Sequence, residues 1–126
     1  TPGSRCETPI DLTVLYPTLL HLCGIKNPSY CDGTSALPLL KNPKAKWGHP
    51  AISTYGRNNH TLRTQRWRYI QYADGTEELY DHQHDPHEWT NVAGRKSAQT
   101  YLVKLRERLK FRQDAEPVSD LRKPKT

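Results

Sequence analysis

The sequence predicts an α+β fold: a small antiparallel sheet of about four strands packed by a C-terminal helix and preceded by an apolar helix. Three stretches carry this expectation. Residues 49–81 hold runs of β-formers separated by turn residues. The segment "SAQTYLVKLRERLKFR" places Tyr101, Leu102, Leu105 and Leu109 on one helical stripe, with basic residues opposite. "IDLTVLYPTLLHLCG" repeats apolar residues at helical spacing, with little elsewhere in the chain to cover them.

Taken in order, Thr1 to Pro9 carries two prolines, a glycine and a serine and reads as loop. Asp11 is a suitable N-cap for the helix of residues 11–23, and Gly24 supplies its stop. Pro17 lacks a backbone donor and is expected to kink that helix. The uncovered stripe of Leu12, Leu15, Leu19, Leu20 and Cys23 points to a domain outside this sequence. "NPSYCDG" is loop, and "TSALPLLKNP" reads as a short helical turn between proline stops. "HPAISTYG" tends towards a strand. His60 to Thr64 and Trp67 to Ala73 follow as two more, and Asp74-Gly75 turns the chain into Glu77 to Asp81.

Composition narrows the class. The chain has 126 residues, 34% hydrophobic and 25% charged, with a mean hydropathy of −0.89. A solvent-rich domain with a thin core is expected. No apolar run approaches the ~18 residues of a membrane span, and no signal peptide is visible at Thr1. Methionine is absent, as in an internal fragment, a processed chain or one that has lost its initiator. The net charge of +6 favours polyanionic partners such as nucleic acid, anionic lipid or sulfated sugars, although part of it lies in the tail "LRKPKT". Cys6, Cys23 and Cys31 show no C-x-x-C spacing, which disfavours a zinc framework. The spacing allows one disulfide, most readily Cys23 to Cys31, and the odd count leaves the redox compartment open.

Two stretches compete as sites. "DHQHDPHEWTN" gathers His82, His84 and His87, but lacks the i, i+4 pair of a helical zinc site and any completing cluster. The stronger reading is structural. Asp85 at N-cap, Pro86 at N1 and Glu88 at N3 form a capping-box pattern, with Trp89 and Val92 pinning the turn to the sheet. In "YGRNNHTLRTQRWRY", arginines interleave with aromatics. Its loop half, Arg57, Asn58, Asn59 and His60, is the candidate anion-binding segment, because guanidinium groups bind sulfate, phosphate or carboxylate in bidentate fashion. There is no G-x-S-x-G, no Gly-rich phosphate loop and no local Cys/His signature, so no catalytic residue is assigned.

The landmarks "DLTVLYPTLLHLCGI", "DGTSALPLL" and "RTQRWRYIQYADGTEELYDHQHDPHEWTNVAG" together resemble the C-terminal portion of type I sulfatases, across roughly residues 2 to 111. The iduronate-2-sulfatase-like and choline-sulfatase-like branches are the nearest in pattern. The matching positions are Asp11, Tyr16 to Leu20, Gly24, Arg68 to Ile70, Glu78 to Asp81, Asp85 to Glu88 and Asn91.

The resemblance implies an alkaline-phosphatase-like α/β domain followed by a four-stranded subdomain with a packed helix. Residues 1–48 would then be the end of the α/β domain, 49–113 the subdomain, and 114–126 a disordered tail. The apolar helix would dock on the missing catalytic domain. That missing part would hold the formylglycine, made from a Cys/Ser-x-Pro-Ser/Thr-Arg motif that Cys6, Cys23 and Cys31 do not match, and the calcium. The chain itself implies no cofactor and is expected to be inactive alone. It would contribute part of a pocket for a sulfated carbohydrate in a periplasmic, extracellular or lysosomal enzyme, with no nucleic acid or membrane partner. The rival is a stand-alone basic module binding RNA or another polyanion, with Trp67 and Tyr69 as a stacking platform on one strand face.

Overall fold

The computed structural model describes residues 3–113. Its centre is an antiparallel sheet in the order β1 (Ala51–Thr54), β2 (His60–Arg63), β3 (Trp67–Gln71) and β4 (Glu77–Asp81). The register places Leu62 opposite Tyr69 and Tyr69 opposite Leu79, so one apolar row crosses the three inner positions. All three are fully buried beneath α3 (Gln99–Gln113), whose Leu102, Leu105 and Leu109 close the core. Burying each of these leucines contributes roughly 1.5–3 kcal/mol, enough to order a helix whose opposite face is charged. Tyr101 lies at the margin of the stripe, its ring tilted against Trp67 at 4.6 Å. β3 ends at Gln71, short of the expected Ala73. The Asp74 carboxylate accepts from the Thr76 backbone and hydroxyl, which widens the turn to residues 72–76.

The exposed edge of β4 is covered by a single side chain and its neighbour. Asn91 Oδ1 accepts from Leu79 N at 3.0 Å, its amide donates to Glu77 O, and Val92 N donates to Leu79 O. The asparagine thus stands in for a strand partner on an edge that would otherwise be open.

At the N-terminal side, Asp11 caps a 3-10 turn (Leu12–Val14) that runs into α1 (Leu15–Leu22). Its other carboxylate oxygen accepts from Ile52 N at 3.0 Å, tying this turn to the edge strand β1. Pro17 does not fall in the middle of the α-helix. It lies in the first turn of α1, where its missing N–H would have no intrahelical acceptor, and its ring is fully buried. The Thr18 hydroxyl donates to Val14 O and accepts from Ala36 N, fastening α1 to α2 (Leu37–Lys41). Gly33 is required here, because a Cβ would lie 1.9 Å from Thr13 O.

The small cluster of Val14, Ala36 and Leu39 leaves most of the apolar stripe uncovered. Leu12 is 82% exposed and Leu19 61%. Among the described residues no helix is long and apolar enough to cross a membrane. Cys23 and Cys31 are free thiols, so the disulfide that their spacing allows is not formed in this structure. The 28–31 turn directs the Cys31 thiol to Gly33 O instead. The tail assigned to residues 114–126 lies outside the described residues.

Candidate functional site

The loop between β1 and β2 is held by its own chain and by the neighbouring hairpin. Tyr55 N donates to Asn59 O at 3.0 Å, closing it. Gly56 and Asn58 both take left-handed backbone, φ 62° and 63°, a region glycine enters freely and asparagine tolerates. Asn59 donates to Arg57 O and accepts from Ala73 N, linking this loop to the β3–β4 turn at the same end of the sheet.

The four sequence-predicted residues therefore divide. Asn59 is committed to the backbone. His60 is 8% exposed, with Nδ1 2.9 Å from the Thr54 hydroxyl on the helix-covered face. Arg57 and Asn58 are exposed, and Arg57 has no ion-pair partner among the described residues. Tyr55, which heads the arginine- and aromatic-rich stretch but is not among those four residues, is 81% exposed beside them. An aromatic flanking an exposed arginine and a turn glycine is the signal that could have marked it. The loop can offer an anion a guanidinium, a side-chain amide and an aromatic ring from one rigid support.

The histidine-rich stretch builds a different structure from the one expected. No helical turn follows Asp85 and no capping box forms. Asp85 instead accepts from Thr90 N at 2.8 Å, and backbone donors from His87 to Thr90 hold its pKa below the usual carboxylate value. Glu88 adopts φ 60°, a region poorly suited to its side chain. That backbone turns its carboxylate onto the outer face of the sheet, 2.5 Å from Arg68 Nε and 2.6 Å from His82 Nε2. The buried Arg68 Nε–H is in charge contact with Glu88 without an aligned hydrogen bond. His82 Nδ1 accepts from Arg63, so the ring carries its proton on Nε2, towards Glu88. Trp89 pins nothing. It is 84% exposed and stacks on His87, whereas Val92 does pack against the core.

Three ion-paired carboxylates tie the sheet to its surroundings. Asp81 accepts two bonds from Arg66 at 2.7 and 2.8 Å, which hold its pKa far below the ordinary range. Glu77 accepts from Arg106 of α3 and from the Tyr69 hydroxyl. Its pKa is lowered, chiefly by Arg106, while burial followed by the Glu77 hydrogen bond raises that of Tyr69. Asp81, Glu77 and Glu88 are thus taken by arginines, and among the described residues no three His, Cys, Asp or Glu side chains converge on a metal-sized site. The donor set does not suit a calcium, which takes ~6–8 oxygens. Cys6 and Cys31, whose thiols donate to backbone carbonyls, do not stand in a formylglycine motif.

The stacking platform is also closed. Trp67 and Tyr69 do share a face, but α3 covers it: Tyr69 is fully buried and Trp67 packs on Tyr101.

Comparison with known proteins places these features in a lineage. The family profile "N-sulphoglucosamine sulphohydrolase, C-terminal" matches residues 3–115. A sulfatase of Formosa agariphila is 40% identical over 91 residues, 72% of this chain and 18% of that protein. Arylsulfatase K of Xenopus laevis is 34% identical over 110 residues, 75% of this chain and 20% of its own length. A structure solved in complex with its substrate D-glucosamine-2-N,6-O-disulfate superposes with a TM-score of 0.68 at 29% identity, covering 85% of this chain and 25% of that one. The chain spans about a fifth of the length of the curated relatives it matches.

Proposed function

Because the chain belongs to the family of N-sulphoglucosamine sulphohydrolase C-terminal domains, we propose that it serves a sulfatase acting on a sulfated carbohydrate and supplies one wall of the substrate pocket. The observation that carries the pocket assignment is the exposed Arg57, without an ion-pair partner among the described residues, on a loop that Asn59 ties to itself and to the neighbouring β3–β4 turn. Arg57 and Asn58 meet a sulfate or carboxylate of the sugar, and Asn59 and His60 hold the loop in place. The substrate class is supported by the relative solved with D-glucosamine-2-N,6-O-disulfate.

We assign the calcium and the formylglycine to the part of the enzyme outside this chain, since Cys6, Cys23 and Cys31 do not stand in the Cys/Ser-x-Pro-Ser/Thr-Arg motif. That part is also what covers the leucines of α1. The chain alone turns over no sulfate ester.

The test is steady-state kinetics of the full-length enzyme. One charged hydrogen bond is worth roughly 1.5–3 kcal/mol, so Arg57→Ala lowers kcat/KM for a sulfated oligosaccharide about tenfold or more. A small aryl sulfate, which does not reach this wall, loses less, and the unfolding midpoint is unchanged. His60→Ala, by contrast, also lowers the unfolding midpoint, because it leaves Thr54 without its partner. Equal losses on both substrates for Arg57→Ala, or turnover by the isolated chain, would overturn the assignment.

A further inference from the structure

At the end of the sheet away from the Arg57 loop, the N-terminal segment, the connector into β1 and the β2–β3 turn enclose a groove of about 660 Å³. Its lining is strongly basic. Arg5 is paired with the groove's one carboxylate, Glu7, at 2.8 Å, and Arg66 is held by Asp81. Lys44, Lys46 and Arg108, the last from α3, line the same groove and have no carboxylate partner among the described residues.

Arg63 forms its inner wall. It donates to the carbonyls of Thr64, Gln65 and Trp67 and to His82, and to no carboxylate among the described residues. Burial lowers its pKa, its cross-strand neighbour Arg68 adds to this, and Glu88 offsets part of it. Like charges gathered along a groove repel one another, and a bound polyanion relieves that repulsion.

We propose that this groove binds an extended sulfated polysaccharide, at a site separate from the loop that meets the reacting sugar. The identity of the polyanion rests on the sulfatase reading above; the site itself rests on the charges. Sulfate esters stay ionised across the physiological range, and lysine ammonium groups on flexible stems suit sulfates spaced along a chain. Single-stranded RNA requires successive aromatic surfaces for its bases. The groove offers one tryptophan, Trp47, with His49 packed edge-on against it at 5.0 Å.

Position gives the groove its use. β2 (His60–Arg63) alone separates the groove from the loop by about 13 Å at the usual rise per residue. A monosaccharide cannot touch both, whereas a polysaccharide held in the groove keeps its reactive sugar near the loop.

The experiment measures binding by the full-length protein at fixed salt, without turnover. The probes are a heparin dodecasaccharide, a hyaluronan oligosaccharide of equal length, which carries carboxylates but no sulfate, and a single-stranded RNA 12-mer. The wild-type protein binds heparin at least tenfold tighter than either of the others. Lys44→Glu/Lys46→Glu/Arg108→Glu weakens heparin binding at least tenfold, and the neutral Lys44→Gln/Lys46→Gln/Arg108→Gln, which places no new charge, gives a smaller loss in the same direction. Turnover of a sulfated disaccharide is retained in both variants. Unchanged heparin affinity in either variant, or RNA or hyaluronan binding as tight as heparin, overturns the proposal. Failure of the protein to hydrolyse any sulfate ester, with the heparin results intact, overturns the sulfatase reading and leaves the groove standing.

Discussion

Glu88 shows how one residue can defeat a pattern and still be explicable. Asp-Pro-x-Glu ahead of an aromatic reads as the start of a helix, because acceptor, proline and glutamate fall at the right offsets. The pattern registers local offsets only. It does not contain Arg68 and His82, which arrive from β3 and from the end of β4 and draw the Glu88 carboxylate onto the sheet. Two charged contacts outweigh both a capping bond and an unfavourable backbone region, each on the order of 1 kcal/mol. The backbone part can be isolated. Glu88→Ala and Glu88→Gly both remove the carboxylate, but only alanine has a Cβ to strain at φ 60°. Urea unfolding should therefore find Glu88→Gly more stable than Glu88→Ala by about 1 kcal/mol. An alanine variant as stable as the glycine variant would mean that the left-handed turn relaxes once its carboxylate is gone. The site loop was legible to a similar depth. Its place and polarity could be read from "GRNNH", but the commitment of Asn59 to Ala73 and of His60 to Thr54 depends on partners far along the chain or across a strand.

Elements were more legible than residues, because periodicity and turn chemistry are properties of contiguous sequence. β2, β3 and β4 begin at the residues their β-formers indicate, and the stripe of Leu102, Leu105 and Leu109 is the one that faces the sheet. What periodicity leaves unspecified is the polar joint between helix and sheet, where Glu77 of β4 accepts from Arg106 of α3 and from the Tyr69 hydroxyl. The joint has a pH signature. The pKa of Glu77 in the folded state lies below its ordinary value of 4.5. Its contribution is therefore present above pH 4.5 and is lost as the pH falls from there through the folded value. Arg106 is 42% exposed on its side chain, so screening keeps the effect modest. Denaturant midpoints followed from pH 6 to about pH 2 should fall less steeply in Glu77→Gln than in the wild type. Parallel slopes would assign the acid sensitivity elsewhere, with Asp81 the next carboxylate to replace.

For the whole molecule, the informative feature is an imbalance between its two ends. The sheet and α3 enclose a continuous core in which Leu62, Tyr69, Leu79 and Leu109 are each at 0% exposure. α1 rests on a cluster of Val14, Ala36 and Leu39, while Leu12, Leu15, Leu19 and Leu22 face outwards at 53–82%. Isolated exposed leucines are ordinary, but a helix that presents four of them on its surface is suited to an interface. The curated relatives are about five times longer than the matched segment, which supports the proposal that the rest of a longer protein covers this face. Local stability should follow the packing. In the 126-residue chain by itself, amide hydrogens of α1 should exchange by local opening, well before those of β2 and β3, whose exchange requires loss of the main core. In the full-length protein the same α1 amides should become protected by a factor of about a hundred or more. That factor corresponds to roughly 2.7 kcal/mol of added local stability, which burying one or two leucines supplies. Hydrogen exchange read by mass spectrometry on both proteins resolves α1 from the sheet. Equal protection of α1 in the two proteins would show that the leucine face stays uncovered in the longer protein, and the proposed docking would then have to run through another surface of this domain.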